Sequence, residues 1–417
     1  MAKIVHWTPT FAKRRAHKSS RIFICINGEG YGHSSRALAV ARHLDPESVI
    51  FGTYGYVKKR IDRAGYRTVE VGPEVKFFGE DGKFELSKTI LKNASAPLTM
   101  GKQFREELKI MKDFKITCVL SDCRAASVFA AAKLGIPCLY MTNQTEFEHF
   151  FHRRKAKKGQ DLPLAETAKG IQDAILGGAA EPPVDFAVRA MFKEISEIIV
   201  ADFPPPHTVC LPMLSRKPQV MKLQRMVGPV TSWTADEVLS HGRPASGPYV
   251  VGTLGGHAYR LPLFNSIVEA AALMPDVHFD IFSSFTPEQN PPPNLRVIEF
   301  TENPERYYKA ADLVVSQAGH STAMELLTLG KPSLLVPDYK QIEQESNAQR
   351  MVELGVSTQM SYPDLTARSL AERIRHHLQT PSYEVSAYQL ARLANEMNGA
   401  RRVAALVNEY GNRVHAY

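Results

Sequence analysis

Short apolar or β-branched runs alternate with stretches of helical spacing along most of this chain. In the first half, Ile22–Ile26, Val49–Gly52, Thr68–Val71, Thr117–Leu120, Pro137–Met141 and Ile198–Ala201 read as strands. Ser34–Leu44, Val57–Ala64 and Arg124–Leu134 carry apolar residues at helical intervals, which predicts helices with one buried face. The second half repeats the scheme. Strands are predicted at Tyr249–Thr253, His278–Phe282, Arg296–Phe300, Leu313–Val315 and Ser333–Val336. Helices are predicted at Leu263–Leu273, Pro304–Ala310, Ser321–Leu329, Ile342–Leu354, Ala367–Gln379 and Tyr383–Tyr410. Strands alternating with helices predict an α/β protein with parallel sheets covered on both faces.

A Pro-, Gly- and Ser-rich stretch from Pro204-Pro205-Pro206 to Pro248, containing Gly228-Pro229, separates the halves. The 417 residues suffice for two domains of roughly 200 residues each. Open parallel sheets bind ligands at the carboxyl ends of their strands, so two such sheets facing one another predict a cleft between domains. Residues 152–190 fit neither pattern and read as a flap or an insertion.

The net charge of +8 is concentrated: Lys13, Arg14, Arg15, Lys18 and Arg21 lie near the start, and residues 152–158 read His-Arg-Arg-Lys-Ala-Lys-Lys. Such runs suit phosphate-rich surfaces, nucleic acid or anionic lipid, and equally a solvated face. No apolar run approaches the roughly 20 residues that span a bilayer, and the basic N-terminus lacks the apolar stretch of a signal peptide. Five cysteines without CxxC spacing read as buried thiols in a reducing compartment, not as a metal site or disulfide framework. A cytoplasmic protein is expected, with contact at the inner face of the membrane if the basic runs dock on lipid.

Four turns carry candidate chemistry. Gln317-Ala-Gly-His-Ser-Thr follows the strand at Leu313 and opens a helix. Unpaired N–H groups and the positive helix end make such a turn an anion site. Gly319, His320, Ser321 and Thr322 would meet phosphate, and Glu325, one turn on, could accept a ribose diol. A Gly-polar helix start is also a common cap. Asn27-Gly-Glu-Gly-Tyr-Gly-His33-Ser-Ser-Arg36 follows the first strand. Its GxGxG spacing is not the dinucleotide fingerprint. The positive end of a helix favours the uncharged imidazole that a general base for a hydroxyl requires. Asp122, after the Thr117–Leu120 strand, could orient His33, or merely cap the helix at Arg124. Gly255-Gly256 is a third glycine turn, and Glu343-Gln344, after Ser333–Val336, could bond sugar hydroxyls. Gly30, Gly32, Arg36, Asn143 and Gln144 are the candidates for the acceptor side of the cleft.

Together these turns resemble the nucleotide-sugar glycosyltransferases of the GT-B fold, near the UDP-glycosyltransferases and the peptidoglycan N-acetylglucosaminyl transferase. The resemblance rests on Gln317 to Glu325, then Gly330-Lys-Pro and Gln344-x-x-Asn347-Ala348. It implies two Rossmann-like domains facing a cleft. Residues 1–225 would bind the acceptor, with 400–417 crossing back, and 226–399 the nucleotide sugar. It implies donor contacts from Gly255, Gly256, Gln317, Gly319, His320, Ser321, Thr322, Glu325, Glu343 and Gln344, with His33 as base and Asp122 as its partner. Departures are Gln317 where many relatives carry His, His320 where plant members carry Trp, and Glu343 in place of Asp.

The expected activity is an inverting, metal-independent transfer of a sugar, from a UDP-sugar, to an acceptor hydroxyl. No Asp-x-Asp pair follows a strand, so no metal and no resident cofactor are called for. A lipid-linked acceptor would account for the basic runs. Two rivals stand beside this expectation: a nucleotide-sugar hydrolase or epimerase on the same scaffold, and a basic nucleic-acid-binding protein. The last lacks any zinc, RRM or KH pattern, and nucleic acid is not an expected partner.

Overall fold

The computed structural model describes residues 20–28, 31–73, 79–80, 83–84, 96–146, 190–244, 246–254, 260–299 and 301–413. Gly30, Gly255, Gly256 and the basic runs at 13–19 and 152–158 lie outside the described residues.

The N-terminal lobe is built on a parallel sheet of seven strands: β1 (Ile22–Ile26), β2 (Val49–Thr53), β3 (Arg67–Glu70), β4 (Cys118–Asp122), β5 (Cys138–Met141), β6 (Glu197–Val200) and β7 (Gln224–Met226). Their order is β3-β2-β1-β4-β5-β6-β7. The C-terminal lobe has six parallel strands: β8 (Tyr249–Thr253), β9 (His278–Phe282), β10 (Leu295–Ile298), β11 (Leu313–Ser316), β12 (Ser333–Leu335) and β13 (Ser357–Gln359), ordered β10-β9-β8-β11-β12-β13. In each sheet the strand order reverses direction beside the first strand. The crevices that such reversals create lie outside the carboxyl ends of β1 and β4, and of β8 and β11.

The first-sheet helices are α1 (Tyr31–Ala41), α2 (Gly55–Arg63), α3 (Ala96–Asp113) and α4 (Ala125–Leu134). Those of the second lobe are α5 (Leu261–Ala272), α6 (Pro304–Ala310), α7 (His320–Leu329), α8 (Ile342–Glu353), α9 (Ala367–Leu378) and α10 (Ser382–Met397). Central strands are buried on both faces; β1, β2 and β4 have no exposed position. That explains why they appear in the sequence as unbroken apolar runs.

The expected final helix Tyr383–Tyr410 is two helices. α10 ends at Asn398, whose backbone is left-handed (φ +45°), and α11 (Gly399–Arg413) sets off in a new direction. Asn tolerates that conformation and commonly ends a helix this way. α11 returns to the first sheet, where Ala400, Val403, Ala404 and Val407 share a core with Ile22, Ile24 and Ile26. Gly399 fits against the other chain crossing: a Cβ there would lie 2.5 Å from the carbonyl oxygens of both Gly228 and Pro229.

The linker after β6 also packs on the second lobe. Phe203 and Val209 join a core with Ala323, Met324 and Leu327 of α7 and Ala387 and Leu390 of α10. Among the described residues, no helix is long and apolar enough to cross a membrane.

Candidate active site

β1 and β4 lie side by side with Ile26 opposite Asp122, so the turn after β1 and the last residue of β4 share one edge. Asp122 ends the strand and is not the cap of α4, whose N-cap is Arg124. It is fully buried, and its Oδ1 lies 3.0 Å from Nδ1 of His33, two residues into α1. Arg36 Nη2, a donor, lies 3.0 Å from the same Nδ1; it is the contact with Asp122, whose carboxylate only accepts, that calls for the proton on Nδ1 and leaves the lone pair on Nε2. The His33 side chain is 24 % exposed, enough for its outer face to meet a substrate.

Arg36 corrects one expectation. It does not line the acceptor side; it is buried and clamps Asp122, with Nε 2.6 Å from Oδ2 and Nη2 on Oδ1. Burial alone would raise the Asp122 pKa. The charges of Arg36 and His33, with their hydrogen bonds, outweigh it and hold the carboxyl well below the usual carboxylate range. Asp122 is therefore charged across the neutral range and positioned to hold the imidazole in one tautomer.

On the opposite lobe, α7 begins at His320, with Gly319 as an N-cap that offers no side-chain hydrogen bond. The first N–H groups of the helix thus lack the usual side-chain cap. Gly319 has an ordinary φ of −60°, and a Cβ built on it would meet no described atom within 4 Å. Neither backbone strain nor a described neighbour requires glycine there. What glycine supplies is bare backbone open to a close-approaching ligand. Gln317, in the same turn, is buried with its Nε2 unpaired. Buried amide donors are rarely left so, and a ligand oxygen is the kind of partner it lacks.

The two turns face each other. Gly32 lies so close to Ser321 that a Cβ on it would sit 2.6 Å from Ser321 Oγ and 3.1 Å from Ser321 Cβ. Gly32 thus serves the contact between lobes. Glu325 follows Ser321 by one turn on the same helix face, as the spacing predicts. Burial, reinforced by the Glu305 charge and opposed by Arg60, pushes its pKa up to about 7. Thr322 is half-buried in the same first turn.

Other expected donor residues are placed differently. The His320 ring is buried, with Nε2 3.0 Å from Asp202 Oδ2. Asp202 also accepts the backbone N–H groups of Phe203, Val209 and Cys210. His320 is thus an interlobe strut, and only its backbone can serve the anion site. Gln344 is buried too. Its Oε1 accepts from Asp338 N at 2.8 Å and its Nε2 donates to Asp338 Oδ2 at 3.0 Å, so the amide is held against Asp338. Asp338 in turn holds Arg260, whose Nη1 donates to the Leu254 carbonyl at 2.7 Å. That network ties Leu254 to Arg260 and Asp338.

Glu343 behaves otherwise. Asn143 Nδ2, from the turn after β5, reaches across the cleft to its Oε1 at 2.7 Å. Asn143 therefore belongs to both sides of the cleft, whereas Gln144 is engaged locally with the Glu146 carbonyl at 3.2 Å. Of Asp202, Arg260 and Asp338, which hold these side chains in place, only Asp338, after a strand, carries any local signal in the sequence.

Two groups, His33-Asp122-Cys123 and Asp202-Cys210-His320, hold ligand-type atoms within 4.8 Å of one another. In both, the carboxylate oxygens already accept N–H groups, from Arg36 or from the backbone. That donor set suits a hydrogen-bonded strut better than a cation.

Two parallel-sheet α/β lobes that meet at the turns after β1 and β11 have the architecture of a GT-B glycosyltransferase. The family profile for the glycosyltransferase family 28 C-terminal domain matches residues 274–403, and that for glycosyl transferase family 1 matches residues 20–192. An uncharacterised glycosyltransferase of Methanosarcina mazei is 33% identical over 405 residues, covering 94% of this chain and 99% of its own. The chain belongs to that glycosyltransferase family. The UDP-N-acetylglucosamine–N-acetylmuramyl-(pentapeptide) pyrophosphoryl-undecaprenol N-acetylglucosamine transferase of Bacillus cytotoxicus is 35% identical over 112 residues, 26% of this chain and 31% of its own. Among solved structures, the glycotransferase of kitacinnamycin superposes with a TM-score of 0.69 at 17% identity, covering 94% of this chain and all of the other. That likeness speaks for the fold alone.

Proposed function

We propose that this enzyme moves a sugar from a nucleoside-diphosphate sugar to an acceptor hydroxyl with inversion at the anomeric carbon. The observation that carries the reading is the close contact of Gly32 with Ser321, which sets the His33-Asp122 pair against the uncapped start of α7. The acceptor would approach from the N-terminal lobe. That lobe has a cavity of about 660 Å3 lined by Tyr54, Val71, Lys102 and Ile110 among others. His33 Nε2 takes the hydroxyl proton as the acceptor oxygen forms its bond to the anomeric carbon. The bond from that carbon to the phosphate oxygen breaks on the opposite face, and the nucleoside diphosphate leaves with the electron pair. The N–H groups of α7 and the Gln317 amide stabilise the charge that develops on it. Asp122 stabilises the imidazolium. Closure of the lobes excludes water and so favours transfer over hydrolysis.

UDP is the proposed nucleotide, because the name of the Bacillus relative specifies a UDP-sugar donor. A lipid-linked acceptor, drawn in by the basic runs, extends the proposal; co-flotation with acidic liposomes at low salt tests that extension. The main test is incubation with UDP-sugars and an acceptor panel, following UDP release and the anomeric configuration of the product by NMR. Retained configuration would remove the single-displacement step. UDP release unchanged by every acceptor would favour a hydrolase, and an altered sugar still bound to UDP an epimerase.

A further inference from the structure

Arg60 takes no part in the chemistry above, yet it lies at the seam between the lobes. It belongs to the last turn of α2. Its Nη1 donates to Ser34 Oγ at 2.7 Å, to Ser35 Oγ at 3.0 Å and to the Tyr31 carbonyl at 3.3 Å. These partners form the first turn of α1, the turn whose Gly32 touches Ser321. The guanidinium also lies 5.6 Å from the centre of the Tyr31 ring. Among the described residues, every hydrogen bond of Arg60 is made through Nη1. A guanidinium has five donors in a planar fork, so the Nη2 and Nε edge remains for another partner.

The other lobe supplies a reason for that cation. That lobe carries two carboxyl groups, Glu325 of α7 and Glu305 of α6, and the charge of Arg60 acts on both. A nucleoside diphosphate entering beside them would be repelled by each one that is ionised. Neutral N–H groups at a helix start offset only part of that repulsion. A guanidinium held rigidly opposite offsets more, and its fork matches a phosphate.

We infer that Arg60 is a donor-binding residue supplied by the lobe opposite the donor site, its Nη2 and Nε edge taking a phosphate oxygen of the nucleoside diphosphate when the lobes meet. The inference rests on the donor reading given above. It makes tight nucleotide binding a property of the closed pair of lobes, because helix start and guanidinium belong to different sheets.

The test is calorimetric titration of UDP and of uridine into the full-length wild type, R60Q and R60K. UDP should bind R60Q about tenfold or more weakly than wild type, because a charge-assisted bond is lost. Uridine should bind both alike. R60K, which keeps the charge without the fork, should fall between them for UDP. The affinity of R60Q for UDP should also depend less on ionic strength, a change that a purely structural loss would not produce. If R60Q does not fold, R60K carries the same test: it must weaken UDP more than uridine. Equal weakening of UDP and uridine, or unchanged UDP affinity, would overturn the role of Arg60. If the wild type binds neither UDP nor dTDP, the donor reading itself fails and takes this inference with it.

Discussion

Glu325 gives the sharpest quantitative test of the site, because its ionisation opposes the fold. The carboxyl is half-buried on α7, near Glu305 and within the influence of Arg60. Burial, then Glu305, raise its pKa from 4.5 to about 7. The folded-state value lies above the unfolded one. The stability it contributes is therefore complete below about pH 4.5 and is lost as pH rises through about 7. The gap of about 2.5 units corresponds to at most about 3 kcal/mol, at about 1.36 kcal/mol per unit. Glu325→Gln keeps the shape and removes the titration. Urea unfolding of both proteins near pH 5 and near pH 8 isolates the effect, since the other ionisable groups are common to both and largely cancel in the difference. The variant should be close to wild type at the lower pH and up to about 3 kcal/mol more stable at the higher one. A stability difference that is the same at both pH values would refute the reasoning.

His33→Ala and Asp122→Asn should each lower kcat by about 100-fold or more while UDP binding, read by calorimetry, stays within a few-fold of wild type. Asp122→Ala should also cost about 3–5 kcal/mol in urea unfolding, since it strands the buried Arg36 charge. Because the Asp122 pKa is depressed, its stabilisation is present at neutral pH and is lost as pH falls through the acid range; Asp122→Asn should flatten the acid limb of the stability profile. Gly32→Val should raise the donor KM and lower kcat/KM at least about tenfold, because its Cβ would meet Ser321; unchanged kinetics would dismiss the contact as a closing surface. A double-mutant cycle of Asn143→Ala and Glu343→Gln, scored on kcat/KM, should show coupling of about 0.5–3 kcal/mol, and additive effects would mean that the bond across the cleft is idle.

The central strands were legible because both faces of each sheet are covered, which leaves runs such as Ile22–Ile26 no polar position to hide among. Two of the four edge strands were not. Gln224–Met226 and Ser357–Gln359 are three residues each and carry polar side chains, so no hydrophobic period marks them. The break at Asn398 passed unnoticed because apolar spacing continues across it; Asn-Gly was the only local sign. In the site, His33 and Asp122 were legible because their position at a strand end fixes the edge they share. The partners of His320, Arg36 and Gln344 were not, since each depends on the long-range packing of another segment. Asp202 meets His320 at a sequence separation of 118, and no local pattern encodes that meeting.

The chain passes between the lobes at Gly228-Pro229 and again at Asn398-Gly399, and these passages press against one another with no room for a methyl group. They form something like the spine of a book. Covers bound along one line can swing but can scarcely slide, so the outer margins come back together in the same register at every turn of the page. A bulkier residue at position 399 would thicken that binding and leave the volume ajar, idling a reaction centre whose own residues were all untouched.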